Sequence, residues 1–405
     1  MVLDQISFSA GLKTNYPDWK IDAKVYMNNP LLALIGKDET FGGDQMKCPL
    51  AYANPQARSN TFATANGLST NSKLTAFFLT RKSDYSVAEI QNETILASEG
   101  DSNAFLRAAT FEIDGALNSL SRSTATKLYR SGSGSIGQLS STSGTTTTLT
   151  LLDPAMAVNF EVGMYLESSS VDGGGTLNSS TSTQGNVTAI NRDTGVLTLA
   201  AAVTGLAASD YIFVRGDYGN AFSGLDAWLP FDNRTARLAA PFFGVTRSTD
   251  AYRLGGLTQD GSAKPIEEAL IDGINLVARE GGRPDYVFMS YSDYANLAKA
   301  IGTRVQYVDV KAGTDGVVSF QGLSINGPTG VVKCIPDVNC QKGRCWILTL
   351  DTWKLYSLKK IVNLFDTDGL RMLRSGTNDS LQIRCFQYAQ LGCMAPGYNM
   401  QLKLA

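Results

Sequence analysis

One long amphipathic stretch constrains the fold of this chain more than any other sequence feature. Between Phe105 and Leu128, apolar residues recur mostly at steps of three or four, and Asp101-Ser102-Asn103 offers a helix N-cap just before them. The spacing predicts a single helix of about seven turns with one apolar stripe. The run Ser131-Gly132-Ser133-Gly134 ends it.

The residues before this helix predict two extended elements with little core of their own. Residues 1–44 are interrupted by Pro17 and Pro30 and predict a loosely structured N-terminal arm with a short helix at 31–35, ordered by lying on another surface. Residues 45–92 predict two strands joined by a polar tip. A hairpin of this length is marginal in isolation, so it indicates a partner surface.

Four basic residues of this predicted hairpin are candidate contacts between subunits. On one interpretation they pair with acidic residues of an adjacent subunit, and on the other they form a solvated edge that prevents misassembly. The four candidates are Arg58, Lys73, Arg81 and Lys82.

The composition and the predicted secondary structure change at residue 138 and again at residue 217. Residues 138–216 are dense in Ser, Thr and Gly, and their short strand-like runs predict a small all-β module inserted into a larger domain. From 217 to 405 helical and strand patterns are mixed, including an amphipathic helix that follows Pro265 and ends at Gly281-Gly282. The predicted fold class is α+β.

Composition excludes several classes of function. The 405 residues contain no histidine, which removes Ser-His-Asp and Cys-His catalysis and every His-ligated metal site. The net charge of -2 does not predict a basic stripe for wrapping nucleic acid. The start of the chain has no pattern of a signal peptide, and no apolar run approaches the ~18 residues of a membrane span. The six cysteines are therefore expected to be free, buried and without metal.

Two motifs are better explained by structure than by chemistry. Gly132 to Gly137 matches G-x-G-x-x-G, but a helix precedes it and a β tract follows, the reverse of a dinucleotide site. The adjacent carboxylates Glu267 and Glu268 do not face each other on a helix. We therefore expect no enzyme activity, no catalytic residue and no cofactor.

The order of these parts resembles the Hong Kong 97-type fold of tailed-bacteriophage major capsid proteins. The resemblance is carried by three stretches, namely 265–272 with 282–289, 351–358, and 388–393 with 395–399. It implies an N-arm (1–44), an E-loop hairpin (45–92), a spine helix with part of the peripheral domain (93–137), and an axial domain with the rest of the peripheral domain (217–405). The module at 138–216 departs from the basic fold and is expected to be a surface decoration or a stabilising contact.

The same resemblance implies function by association. It implies hexamers and pentamers of one subunit that form an icosahedral head shell around double-stranded DNA, assembled in the host cytoplasm. Implied partners are a separate scaffolding protein, a portal and a decoration protein, with no membrane. Three alternatives remain open: an encapsulin-type nanocompartment shell, a carbohydrate-active enzyme with a β accessory module, and a tail or surface structural protein.

Overall fold

The computed structural model describes residues 25–26, 28–93, 102–140, 144–178, 185–302, 307–312, 318–366 and 373–405. Most of the predicted arm, residues 1–24 and 27, lies outside the described residues. The α-helices are α1 (Pro30–Leu34), α2 (Phe62–Gly67), α3 (Ser102–Tyr129), α4 (Leu225–Trp228), α5 (Arg234–Ala239), α6 (Ile266–Arg279) and α7 (Tyr291–Ile301).

Helix α3 confirms the predicted long helix. Its 28 residues span about 42 Å at the rise of an α-helix. Ile113, Leu117, Leu120 and Leu128 are at most 2% exposed, so they form the buried stripe that the spacing predicts. The helix ends where the backbone of Gly224 donates to the carbonyl of Arg130 at 3.1 Å. A side chain at Gly224 would collide with the carbonyls of Lys127 and Leu128.

The hairpin is shorter than the sequence indicates. The first four strands are β1 (Gly36–Asp38), β2 (Gln45–Ala53), β3 (Lys73–Thr80) and β4 (Lys82–Gln91). Strands β2 and β3 pair antiparallel from Gln45 opposite Thr80 to Ala53 opposite Lys73. Strand β4 leaves this pair after one residue, Arg81, and joins a different sheet. The predicted hairpin of 45–92 therefore comprises a free hairpin, 45–80, and a strand of the body.

The predicted β module is a separately packed unit. Its strands are β5 (Ser135–Gln138), β6 (Gly144–Thr150), β7 (Leu166–Ser169), β8 (Val187–Asn191), β9 (Val196–Leu206) and β10 (Tyr211–Val214). They form two three-stranded sheets, in the orders β5-β10-β7 and β6-β9-β8. A cluster of buried apolar residues that includes Leu149, Phe160, Leu197 and Ile212 fills the module's own core.

The module's two ends meet at a narrow neck. The backbone of Gly219 donates to the carbonyl of Ser133 at 2.8 Å. Gly134 has φ +95 and lies against Asp217 so closely that a Cβ there would overlap the aspartate's carbonyl group. Only glycine suits both the backbone angle and the contact. The chain therefore leaves the body and returns to it at one point.

The body consists of two further sheets. Its remaining strands are β11 (Leu257–Asp260), β12 (Tyr286–Met289), β13 (Tyr307–Ala312), β14 (Val318–Gly327), β15 (Gly330–Pro336), β16 (Arg344–Leu348), β17 (Trp353–Ser357), β18 (Asn363–Leu364), β19 (Leu373–Arg374), β20 (Ser380–Cys393) and β21 (Met400–Lys403).

Each of the two sheets packs against a different helix. A six-stranded sheet has the order β1-β17-β20-β18, with β4 and β19 also pairing with β20, and α3 packs on β4 and β20. A seven-stranded mixed sheet has the order β11-β21-β16-β12-β15-β14-β13. Leu270, Ile274 and Val277 of α6 join the buried cluster of this second sheet. The predicted α+β class is confirmed.

The cysteine thiols have little chemical reactivity in the folded chain. All six cysteines are free and buried, as the sequence predicts. Burial raises the pKa of Cys334 and of Cys385 to about 12, so these thiols are protonated and unreactive at neutral pH.

Among the helices that the structure describes, none is both long and apolar enough to cross a membrane.

Candidate subunit interfaces

The base of the β2–β3 hairpin is fixed to the body by an aromatic cluster and by backbone bonds. Phe77 lies 4.9 Å from Trp228, ring centre to ring centre, and both side chains are completely buried. The backbone N–H of Phe78 donates to the carbonyl of Phe243 at 3.0 Å. The Arg253 guanidinium donates to the carbonyl of Tyr52 at 2.5 Å. Strand β3 is therefore held near the base, whereas β2 is held at Tyr52, near the end that leads to the tip.

The tip of the same hairpin makes almost no contact with the described part of its own chain. Gln56 and Thr70 close it, with backbone N–H groups that donate to Thr70 Oγ1 at 2.9 Å and to the Gln56 carbonyl at 3.0 Å. Between them, helix α2 has no buried residue, and Phe62 is 85% exposed. A six-residue helix is too short to be stable without packing. The tip is therefore a surface suited to being covered by another molecule.

Two more apolar side chains extend the tip surface. Leu68 follows α2, and Leu74 lies on β3 one residue after its start. They are 62% and 72% exposed. Exposed apolar residues that stand alone need no explanation, but a group on one projecting element indicates an interaction surface.

The four predicted contact residues fall into two pairs. Arg58 and Lys73 are exposed on the hairpin. Arg81 donates to the carbonyl of Phe41 at 3.2 Å and lies over that residue's ring. Lys82 lies on β4, not on the hairpin, and donates to the carbonyl of Gly219 at 3.1 Å. The first pair is exposed, whereas the second pair has hydrogen-bond partners in its own chain.

A second exposed surface lies on the side of the six-stranded sheet that α3 does not cover. Along β4, side chains alternate between the helix side, where Ala88 and Ile90 are buried, and the open side. On the open side Tyr85 is 59% and Val87 is 53% exposed. The Tyr85 hydroxyl lies 3.0 Å from that of Tyr388 on β20. This open side is a partly apolar surface next to the hairpin base.

A buried charge cluster joins the spine helix, the sheet and the neck of the module. The Lys127 ammonium of α3 lies 2.6 Å from Asp84 of β4 and 3.1 Å from Asp217 at the neck. Burial alone would lower the pKa of Lys127, but the two carboxylates together raise it above its usual value. Burial raises the pKa of Asp217, and the nearby Asp84 raises it further, while Lys127 opposes both. The lysine therefore fixes three elements at one point.

A second buried cluster, which the sequence analysis missed, anchors helix α1. Asp337 is 1% exposed and accepts from the Tyr129 hydroxyl at 2.8 Å and from the Asn339 backbone at 2.9 Å. The N–H of Leu31 in α1 lies 3.5 Å from the same carboxylate. Burial raises the pKa of Asp337, although its hydrogen bonds oppose the rise. No local sequence signal connects residues 306 positions apart.

The motifs set aside on sequence grounds have structural roles. The G-x-G-x-x-G run begins after the end of α3 and extends into strand β5, and Gly132 and Gly134 adopt positive φ there. Among the described residues, no group of three or more Cys, Asp and Glu side chains is arranged to hold a metal ion.

Comparison with known proteins identifies the fold. No protein-family model matches the chain, and neither does any curated protein. Among solved structures, a chain of the cyanophage A-1(L) capsid asymmetric unit is similar over 93% of both chains, at 12% identity and a TM-score of 0.52. A Mycobacterium phage Ogopogo structure is similar over 94% of this chain and 93% of that chain, at 8% identity and a TM-score of 0.44. The SrpI encapsulin of Synechococcus elongatus is similar over 100% of this chain and 96% of that chain, at 10% identity and a TM-score of 0.42.

The cyanophage structure carries the conclusion on fold, because the likeness extends over nearly the whole of both chains. The long helix, the hairpin and the mixed helices and strands after 217 are the parts that the sequence predicts. The chain has the Hong Kong 97-type capsid fold with an inserted β module.

Proposed function

We propose that this chain is the major capsid protein of a tailed bacteriophage. Copies of it would associate into hexamers and pentamers that form an icosahedral head shell around double-stranded DNA. The likeness in fold to a cyanophage capsid chain over 93% of both chains supports this proposal most strongly. The chain would work by association and not by catalysis, and its place would be the virion.

The hairpin tip supports the proposal from within the structure. Helix α2 has no buried residue, and its first residue, Phe62, is 85% exposed. Packing this apolar ring on a neighbour would remove it from water, which is favourable. In this proposal the tip lies over an adjacent subunit, and Arg58 and Lys73 meet acidic side chains there. Arg81 and Lys82 would act indirectly, by holding the hairpin base in position.

Other partners follow from the same proposal. A scaffolding protein would control shell size before DNA enters, a portal would occupy one vertex, and a decoration protein would bind outside. Packaged DNA would meet the inner surface without sequence preference, and the net charge of -2 predicts little overall attraction to its phosphates.

Electron microscopy of the purified full-length protein tests the proposal. Negative-stain images of material made with and without its genomic neighbours should show closed icosahedral particles or rings of five and six subunits. DNA inside particles from infected or co-expressing cells agrees with a phage head, whereas a protein cargo would indicate an encapsulin-type shell. A monomer under every condition would overturn the proposal.

A point variant makes the test specific to the tip. Phe62→Asn removes the exposed ring, and Ala63→Asn places the same amide on the next exposed residue of α2 without removing a ring. The first variant should reduce the yield of closed particles at least tenfold, and the second should not. Equal yields from both would argue against the tip as a contact surface.

A further inference from the structure

Strand β4 is an edge strand along its whole length. Its residues, Lys82–Gln91, pair with β20 on one side only. On the other side, no backbone N–H or carbonyl of β4 forms a backbone hydrogen bond within the described part of the chain. Proteins usually shorten, twist or cover such an edge, because an open edge pairs readily with an extended segment that reaches it. This long and regular edge therefore indicates that a strand is added to it.

A cleft of about 210 Å³ opens beside the first half of this edge. Residues 84–86 of β4 line one side of it, and helix α3 and the β module line the others. The apolar side chains among the lining residues are Leu120, Ile136, Met164 and Val214. A strand added to β4 would direct every second side chain toward α3 and into this cleft.

The N-terminal arm contains a segment with the pattern of such a strand. Polar and apolar residues alternate strictly in Gln5-Ile6-Ser7-Phe8-Ser9-Ala10. A period of two gives a strand one polar and one apolar face, and six residues is an ordinary strand length. The segment therefore has an apolar face that suits the cleft and a polar face that suits water.

The arm joins the described part of the chain close to this cleft. The Val25 carbonyl accepts from the Asn29 side chain at 2.9 Å. Asn29 Oδ1 accepts from Asn339 at 3.1 Å, and Asn339 Oδ1 accepts from the Thr126 hydroxyl at 3.2 Å. Thr126 is itself one of the residues that line the cleft. Because residues 11–24 span up to about 45 Å when extended, the arm is long enough to reach the edge of its own chain.

We propose that residues 5–10 pair with the free edge of β4 in the same chain. The apolar side chains of the segment enter the cleft, and its polar side chains lie on the open side of the sheet beside Tyr85 and Val87. Backbone hydrogen bonds hold the segment, and burial of its apolar side chains stabilises it further. The added strand covers an edge through which copies of the chain would otherwise aggregate. The inference does not depend on the proposed capsid function.

Cysteine cross-linking in the full-length protein tests this pairing, because all six native cysteines are buried. Val87→Cys places a thiol on the open side of β4, and each residue from 5 to 10 is replaced by cysteine in turn. Opposite positions of paired strands point to the same face. After mild oxidation, positions 5, 7 and 9 should therefore cross-link at least fivefold more than positions 6, 8 and 10. Tyr85→Cys repeats the scan two residues away, so that a different register is also covered.

The position of the product on a non-reducing denaturing gel shows which chain supplies the arm. Pairing within one chain gives a cross-linked monomer, which mass spectrometry identifies by its linked peptides. Lys299→Cys on α7, a helix that packs on the other sheet, is the matched control and should link to the same arm positions at least fivefold less. Equal linking at all six positions, no linking from Val87→Cys or Tyr85→Cys, or a product linked mainly between chains would overturn the proposal.

Discussion

The Lys127 ammonium lies 2.6 Å from the Asp84 carboxylate, and only 5% of the lysine side chain is exposed. Because Asp217 lies 3.1 Å away, one cation forms ion pairs with two carboxylates from separate elements. The spine helix, the strand that follows the hairpin and the neck of the module thus share one electrostatic contact.

Replacing this lysine should destabilise the subunit strongly. Lys127→Met keeps most of the side-chain volume but leaves two carboxylates in a buried site without a cation, at a cost of about 3–5 kcal/mol in the free energy of unfolding. Urea unfolding at pH 7 measures it. The exposed Lys299→Met is the control and should change the free energy by about 0.5 kcal/mol or less. A loss below about 1 kcal/mol for Lys127→Met would contradict a buried network.

The stability should depend on pH through Asp337. Burial raises the pKa of this carboxyl above its ordinary value of 3.8, so between that value and the raised one the folded state binds more protons than the unfolded state. The free energy of unfolding therefore falls as pH rises through this window. Asp337→Asn removes the titration. The unmodified protein should lose stability relative to this variant as pH rises from 4, until the difference levels off above the folded-state pKa.

Urea titrations at unit pH steps from 4 to 8 measure this difference, and groups that titrate alike in both proteins cancel. The hydrogen bonds lost in Asp337→Asn change the difference in free energy of unfolding by the same amount at every pH. A difference that is flat with pH would mean that Asp337 keeps an ordinary pKa.

Shortening the hairpin should separate folding from assembly. Residues 57–69 can be replaced by Asn-Gly, since Gln56 and Thr70 already bond to each other across the closing pair and this dipeptide suits a tight hairpin turn. The product should unfold with an unchanged urea midpoint and should form no closed shells in negative-stain images. Normal shells would show that the tip is not required for closure.

Removing the module should leave the body folded. Because Gly134 touches Asp217, residues 135–216 can be replaced by a Gly-Ser linker without moving either end. The module has its own core, so the body loses few of its buried contacts. Circular dichroism and a single cooperative urea transition are the readouts. An insoluble or molten product would mean that the module is integral to the body.

The elements with a local pattern were predictable from the sequence. The N-cap and the three-four spacing of α3, the turn signals of the module and the apolar face of α6 all depend on residues close in the chain. The boundaries of α3 agree with the prediction to within a few residues. The order of these parts along the chain was sufficient to indicate the resemblance to the Hong Kong 97-type fold.

Partner choice between distant strands was not predictable. Strand β4 alternates like a hairpin strand, yet its partner is β20, with Lys82 opposite Ala389. A period-2 pattern specifies the faces of a strand and not its neighbour. The same limit applies to Lys127 and Asp337, whose partners lie far along the chain. Contacts of Arg58 and Lys73 with another subunit stay a prediction, because they depend on a second copy.

The burial of all six cysteines leaves the surface of the chain without a reactive thiol. With Cys393 and Cys345 fully enclosed and their pKa values raised by burial, thiol reagents have no native target while the fold is intact. Assembled copies cannot become linked through their own sulfur atoms. A single cysteine introduced at a chosen exposed position would be the one reactive thiol per subunit, so a dye or a ligand could be attached there with a defined stoichiometry.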